Sequence, residues 1–201
     1  MGMGMRGRAE WSATTHEWSR DVDVEHLHSI RASRRAYEAG GVRHQILEVL
    51  AYVDDEAAAL GRTGHAVVRF TADGMVAIAD DGRGTDTRRD EDGDVVRKPV
   101  MATRDIRFFD APSPPLLPDG LPRRGISTVA ALTSLLVHEN HRREGGWTQE
   151  YRHGIPSSAL DRLPGRSTSG TIVAFRSELG APAELTAADL TGFRWLTVRV
   201  G

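Results

Sequence analysis

The sequence contains no cysteine, and only 6% of its 201 residues are aromatic. Disulfide bonds and thiol chemistry are therefore excluded. No apolar run approaches the roughly 18 residues of a membrane-spanning helix, and residues 1–20 lack the apolar core of a signal peptide. The formal net charge of −2 gives no excess of either sign, so nothing indicates the basic surface that binds nucleic acid. We expect a cytoplasmic protein without direct nucleic-acid or membrane partners.

The sequence does contain enough apolar material for one domain. With 39% hydrophobic residues, a chain of this length buries roughly 70% of the surface of its unfolded state. Residues 1–20 are polar and partly glycine-rich, and we predict a flexible N-terminal arm there. Residues 21–201 are predicted to form a single domain. Within it, the proline-rich residues 97–120 are predicted to form a lid-like loop over any ligand.

Residues 40–60 have apolar side chains at the spacing of one helical face and predict a long helix. The positions predicted to be buried are Ile46, Leu47, Leu50, Val53 and Ala57. His44 and Glu48 lie one turn apart on the other face. A histidine bonded to a glutamate can hold it ionised and oriented as a general base. The alternative is an ordinary charge pair on a solvated face.

Residues 67–84 predict a β-hairpin that ends in an acidic, glycine-rich loop. Apolar and polar residues alternate on both sides of a turn at 72–75, and the second strand ends at Asp80. A carboxylate there can accept a hydrogen bond from an exocyclic amine, and the glycines after it let a flat ring approach the backbone. The alternative is a glycine-rich turn with solvated acids.

The remaining elements complete the predicted architecture. Helices are predicted at 23–39 and 127–138, and strands at 147–154, 170–177 and 193–200. Residues 88–96 predict a solvated charged loop without metal-ligand spacing. Phe108 and Phe109 are predicted to pack the lid-like loop down rather than to cap a ligand ring. The whole predicts a two-layer α/β sandwich, with helices on one face of a mixed β-sheet.

The order of these motifs resembles the ATP-binding (GHKL, or Bergerat) domain found in the B-type subunits of DNA gyrase and topoisomerase IV. The blocks that carry the resemblance run from about residue 25 to 175: EHLHSIRASRRAYEAGGVRHQILEVLAYVDDEA, IADDGRG, GLPRRGISTVAALTSLL, QEYRHGIP and SGTIVAF. The resemblance implies a Bergerat-type fold with the ligand pocket between the helix of Glu48 and the sheet. It implies ATP or ADP as the ligand.

The resemblance also implies roles for single residues in the pocket. Glu48 corresponds to the family's catalytic base and His44 to the histidine that supports it. Asp80 corresponds to the aspartate that binds the adenine amine, and Gly82 and Thr171 correspond to residues that complete the adenine site.

Further correspondences lie around that pocket. Arg83 and Glu56 match a pair that bridges the adenine loop to the helix. One of Arg142 and Arg143 matches an arginine at the pocket mouth, and Arg143 is taken as the candidate.

The sequence departs from the family where the phosphates bind. Tyr52 stands in place of the asparagine that binds magnesium; it is predicted to line the pocket, but a phenol is a poor ligand for this ion. Pro122 has no N–H to offer to a phosphate. The remaining phosphate candidates are Arg123, Arg124 and Gly125. Adenine recognition is therefore expected, magnesium binding is disfavoured, and no metal ligand is predicted.

Two hypotheses follow. In the first, the chain binds ATP or ADP with weak or absent magnesium-dependent hydrolysis and acts through a homodimer or a protein partner. In the second, the pocket is repurposed, and Glu48 and His44 perform acid/base chemistry on a small substrate, for which an aromatic biosynthetic compound is one option. In neither case do we expect a complete topoisomerase, because the family's transducer and DNA-cleavage domains have no counterpart in this sequence.

Overall fold

The computed structural model of the protein describes residues 22–85, 88–89, 95–96, 101–157 and 159–201. The predicted N-terminal arm lies outside the described residues. So do residues 97–100, where the predicted lid-like loop begins, and most of the predicted charged loop at 88–96.

A mixed, eight-stranded sheet forms one layer of the fold. The strands of the chain are β1 (Gly64–Phe70), β2 (Val76–Asp80), β3 (Arg88–Arg89), β4 (Val95–Val96), β5 (Thr133–His141), β6 (Gly146–Arg152), β7 (Ile155–Pro156), β8 (Asp161–Leu163), β9 (Gly170–Ser177) and β10 (Leu196–Val200). The sheet has the order β10-β1-β2-β9-β5-β6-β7, and β8 pairs with β6. β10 runs parallel to β1, whereas β1, β2, β9, β5 and β6 pair antiparallel in turn. β3 and β4 form a separate pair.

Helices form the second layer. They are α1 (Val24–Ala32), α2 (Gly41–Leu60), α3 (Ile126–Ala131) and α4 (Ala187–Thr191), with a 3-10 turn at Arg34–Tyr37. All five positions predicted to be buried on α2 are at most 8% exposed. Four of them, all except Ala57, share a core with Val68 of β1, Ile78 of β2 and Phe175 of β9. The predicted α/β sandwich, with helices on a mixed sheet, is therefore confirmed.

Two predicted helices are shorter than expected. The helix predicted at 23–39 ends at Ala32, and the chain continues as the 3-10 turn. The helix predicted at 127–138 ends at Ala131, and Thr133 begins β5. Apolar residues at 129, 132, 135 and 136 fit a helical face, but pairing of this segment with both β6 and β9 makes it a central strand. Tertiary pairing overrides the local pattern here.

Other predicted elements agree with the structure to within a few residues. β1 and β2 form the predicted hairpin, and β9 coincides with the predicted strand at 170–177. α4 was not predicted, although its capping box, Thr186 with Asp189, is visible in the sequence. No helix within the described ranges is long and apolar enough to cross a membrane.

Residues 101–120 pack closely against the domain. Met101, Ala102 and Leu117 are buried, and Phe108 is 7% exposed, in agreement with the prediction that Phe108 packs the segment down. Two acidic side chains of this segment, Asp105 and Asp119, bond to side chains of α2. The segment therefore brings charged groups to the helix that carries the candidate base.

Candidate functional site

Asp80 ends β2 with its carboxylate held by neighbours from two strands. Its Oδ1 atom accepts the backbone N–H of Gly82 at 2.8 Å and that of Thr171 at 3.2 Å. Its Oδ2 atom accepts the hydroxyl of Thr171. This meeting follows from the antiparallel pairing of β2 with β9, which sets Ala79 opposite Ile172. Burial raises the pKa of Asp80, and the hydrogen bonds from Thr171 and Gly82 oppose the rise.

Close backbone approach explains two glycines around Asp80. A Cβ at Gly82 would lie 2.9 Å from Asp80 Oδ1, and one at Gly170 would clash with the backbone carbonyl of Asp80. Gly170 also has a φ of +147°, a backbone conformation that residues other than glycine rarely adopt. Gly82 was assigned to this site from the sequence, whereas Gly170 was noted only as part of the block SGTIVAF.

The loop after Asp80 is anchored on both sides. Arg83 Nε lies 2.7 Å from Glu56 Oε1 on α2, so the predicted bridge from loop to helix is present. Ser169 donates its hydroxyl to the carbonyl of Gly82 at 2.8 Å. Asn140 of β5 bonds to both the N–H and the carbonyl of Thr85. Asn140 and Ser169 were not predicted from the sequence, because a single amide or hydroxyl in a strand or loop carries no local signal.

Both candidate mouth arginines lie in one open groove. Arg142 and Arg143 line a groove of about 480 Å³ together with Arg83 and Ser169. Arg142 pairs with Glu144 at 2.8 Å, whereas Arg143 is exposed. The groove borders the anchored loop.

Glu48 is fully buried and bonds to the backbone ahead of α3. Its two carboxylate oxygens accept the N–H groups of Arg124 and Gly125, the latter at 3.2 Å. Gly125 has a φ of +100°, and a Cβ there would lie 3.1 Å from that of Asp105. The segment that contains the phosphate candidates Arg124 and Gly125 thus directs two of its N–H groups at the candidate base. The role of Glu48 as a base stays a prediction.

His44 lies between two carboxylates. Its Nδ1 atom is 2.8 Å from Asp119 Oδ2, and its Nε2 atom is 3.5 Å from Glu48 Oε1. Burial by itself lowers the pKa of His44, but the hydrogen bonds to Asp119 and Glu48 outweigh it and raise the pKa to about 9. Burial raises the pKa of Asp119, but the bond to His44 and other favourable contacts outweigh this and lower it below its ordinary value. His44 therefore carries a proton at neutral pH.

Tyr52, in place of the family's magnesium ligand, connects α2 to two other segments. Its hydroxyl donates to Asp105 Oδ2 at 2.5 Å and accepts the N–H of Ile126, the first residue of α3, at 3.2 Å. Burial and the negative charge of Asp105 raise the pKa of Tyr52 well above its ordinary value. The two carboxylate oxygens of Asp105 also accept hydrogen bonds from the Nε and NH2 atoms of Arg107. The Tyr52 hydroxyl therefore uses its donor and one acceptor position on protein groups.

Arg123 is likewise engaged by the protein. Its NH2 atom donates to Asp55 Oδ2 at 2.9 Å. Its guanidinium carbon lies 4.0 Å from the ring centre of Phe108 and 4.6 Å from that of Tyr52. A guanidinium stacked on two rings and paired with a carboxylate is fixed in place. Within the described ranges, no group of three or more His, Asp or Glu side chains could hold a metal ion.

A cavity of about 250 Å³ lies beside His44 and is called the His44 cavity below. Its walls include Tyr37 of the 3-10 turn, Phe109 of the segment after residue 100, and Arg124. Arg124, one of the three phosphate candidates, therefore lines this cavity. The cavity was not predicted from the sequence, because its walls come from segments that are far apart along the chain.

Comparison with known proteins gives a limited similarity. No family model matches the chain. Over 136 residues, 67% of its length, the chain is 29% identical to the B-type subunit of DNA gyrase from Streptomyces coelicolor. The aligned part covers 20% of that protein, so the chain spans about a fifth of the length of this relative. The similarity agrees with the resemblance seen in the motifs and is consistent with a GHKL-related domain.

Proposed function

We propose that the chain is a gyrase-B-like nucleotide-binding domain that recognises the adenine ring of ATP or ADP through Asp80. The arrangement of Asp80 with Thr171 and Gly82 carries this proposal. An ionised carboxylate has about four lone-pair positions. Two N–H groups and one hydroxyl use three of them, which leaves one acceptor position for an exocyclic amine.

The same reasoning predicts selectivity for adenine. Adenine carries an amine donor at the position where guanine carries a carbonyl acceptor. An acceptor-only carboxylate accepts a hydrogen bond from the adenine amine and repels the guanine carbonyl oxygen. Thr171 supports the choice, because its hydroxyl can donate to the carboxylate and accept from a second donor on the ligand.

The phosphate end supports weak or absent magnesium-dependent hydrolysis. Three consecutive N–H groups, those of Arg124, Gly125 and Ile126, are bonded to Glu48 and Tyr52. Phosphate groups would have to displace these buried side chains from their partners. We therefore propose that the nucleoside supplies most of the binding energy and that magnesium contributes little.

Calorimetric titration with ATP, ADP, adenosine and GTP, each with and without magnesium, tests this proposal. We expect the three adenine ligands to bind with similar affinities that a chelator does not change, and GTP to bind far more weakly. Asp80→Asn presents amide donors to the amine and should weaken ADP binding about tenfold or more.

Asp73→Asn is the matched control, since Asp73 lies exposed in the turn at the other end of the β1–β2 hairpin and pairs with Arg176. It should bind ADP as the unmodified protein does. Equal affinities in the Asp80 and Asp73 variants, or a large loss of ATP binding on chelation, contradict the proposal.

The second hypothesis, acid/base chemistry on a small substrate, is favoured by one observation. His44 borders the His44 cavity, whereas Glu48 is 0% exposed. In such a reaction protonated His44 is the proton donor, and Glu48 with Asp119 keeps it charged. NMR titration of the His44 ring tests the premise: we expect a pKa of about 9, and a value at or below that of free histidine removes the support for this function.

A further inference from the structure

The His44 cavity has a charge arrangement that the adenine site does not explain. His44 is positively charged, and Glu48 and Asp119 lie on either side of it. Together these three groups carry one net negative charge, and the positive charge of Arg124 brings the sum of the four to zero. The side-chain hydrogen bond of Arg124 is a long one, from its NH1 atom to the carbonyl of Phe109 at 3.5 Å. Within the described part of the chain, no carboxylate pairs with it.

Arg124 differs in this respect from other partly buried arginines of the fold. Arg31, Arg43, Arg123 and Arg176 each bond to a carboxylate at 2.8–2.9 Å. A half-buried guanidinium that lines a cavity and makes one long side-chain hydrogen bond keeps donors for a ligand. A ligand carboxylate can accept two of these donors in the bidentate geometry.

The rest of the wall is suited to a flat ring. Phe109 is held edge to face against His26, with ring centres 4.3 Å apart. Tyr37 also lines the cavity; burial raises the pKa of its phenol, and the nearby charge of Arg124 opposes the rise. The Tyr37 hydroxyl has no hydrogen-bond partner among the residues that the structure describes, so it is a free donor close to Arg124.

Cavity size limits the ligand. A dry protein cavity of about 150 Å³ accommodates one benzene ring. The volume of about 250 Å³ here therefore has room for one ring with a carboxylate. Backbone geometry favours binding without rearrangement, because the N–H of Arg124 is bonded to buried Glu48 and fixes where its side chain begins.

We propose that the His44 cavity is a second ligand site that binds a small aromatic carboxylate, with Arg124 pairing with the carboxylate and Tyr37 and Phe109 enclosing the ring. The proposal deepens the acid/base hypothesis, on which it rests, by naming the class of ligand. It does not depend on Asp80, because an aromatic carboxylate without an amine has no hydrogen-bond donor for the Asp80 side chain. If the nucleotide titrations show no binding, the proposal for the His44 cavity is unaffected. If benzoate does not bind, the proposal for the adenine site is unaffected.

Benzoate is the probe, titrated into the full chain by calorimetry or ligand-observed NMR. Benzamide, the neutral isostere, and inorganic phosphate are the comparison ligands. We expect benzoate to bind with a Kd of about 1 mM or lower. Benzamide should bind at least about tenfold more weakly, because it lacks the charge that pairs with Arg124. Phosphate should bind equally weakly, because it lacks the ring.

Three substitutions separate the parts of the site. Arg124→Gln should weaken benzoate binding about tenfold to a hundredfold, and Arg124→Lys, which keeps the charge but not the planar fork, should fall between. Tyr37→Phe, which keeps the ring, should cause a smaller loss. Arg35→Gln is the matched control, because Arg35 is exposed on the same 3-10 turn but does not line the cavity; it should bind as the unmodified protein does.

Several results overturn the proposal. Absence of benzoate binding does so, as does equal affinity in the Arg124→Gln variant with an unchanged melting temperature. Equal losses in the Arg35 and Arg124 variants would mean general electrostatic attraction. Phosphate binding as tight as that of benzoate would mean an anion site without ring recognition. If Arg124→Gln does not fold, the Arg124→Lys and Tyr37→Phe variants and the comparison of benzoate with benzamide still decide the question.

Discussion

Replacement of Glu48 by glutamine tests whether this side chain stabilises the fold or serves as an accessible base. The two carboxylate oxygens accept two backbone N–H groups, and His44 lies 3.5 Å away. The glutamine oxygen can replace one of these acceptors, but its NH₂ group then faces an N–H. The variant keeps the shape of the side chain but loses one hydrogen bond, and it sets two donors against each other in a fully buried place.

The expected decrease in the free energy of unfolding comes from two lost interactions that share the Glu48 side chain. A buried donor left without an acceptor costs about 1–3 kcal/mol. His44 also loses one of its two carboxylate partners. Breaking a buried pair costs about 3–5 kcal/mol when it leaves a charge uncompensated, but Asp119 stays 2.8 Å from His44, so this second loss lies below that range. Because both losses arise at one side chain, we expect about 3 kcal/mol in total. For a domain of this size, that lowers the melting temperature by roughly 6–12 °C.

Thermal unfolding followed by circular dichroism measures this effect. Glu38→Gln is the control, because Glu38 is exposed and its distance to Arg34 is 3.9 Å; it should change stability by less than about 0.5 kcal/mol. If Glu48→Gln melts within the error of the unmodified protein, the structural role argued here is wrong. Loss of turnover by about 10²–10⁴-fold with unchanged stability would instead indicate a general base.

Two further predictions concern His44 and Tyr52, which lie one turn from Glu48 on α2. The pKa of His44 is raised from 6.5 to about 9 in the folded protein, so its contribution of about 3 kcal/mol is fully present below pH 6.5 and is lost as the pH rises toward 9. Urea unfolding across that range should show the decline, and a His44→Gln variant that declines equally would refute it. Tyr52→Phe removes the hydroxyl between Asp105 and α3 and should destabilise the fold by about 1–3 kcal/mol. Chemical unfolding measures this, and an unchanged midpoint would mean that the hydroxyl contributes nothing.

The architecture was largely predictable because its main elements have strong local periodicity. The long helix at residues 41–60 and the hairpin that ends at Asp80 follow from apolar spacing and turn residues. The helix predicted at 127–138 was wrong beyond Ala131, because apolar residues at 132, 135 and 136 are compatible with a helix and with a strand. Pairing with β6 and β9 decided between them, and a local pattern contains no information about that pairing.

In the candidate site, too, some features were predictable from the sequence and others were not. The sequence by itself predicted which side chains would meet around Asp80, because the order of motifs places Asp80 and Thr171 at the ends of strands that pair, and Arg83 within reach of Glu56. Only the tertiary structure decided the protonation and accessibility of the groups around Glu48. Asp105 and Asp119 reach α2 from a distant segment of the chain, and they bond to Tyr52 and His44. The charge of a histidine and the accessibility of a glutamate depend on such distant neighbours, because hydrogen bonds and desolvation act through space rather than along the chain.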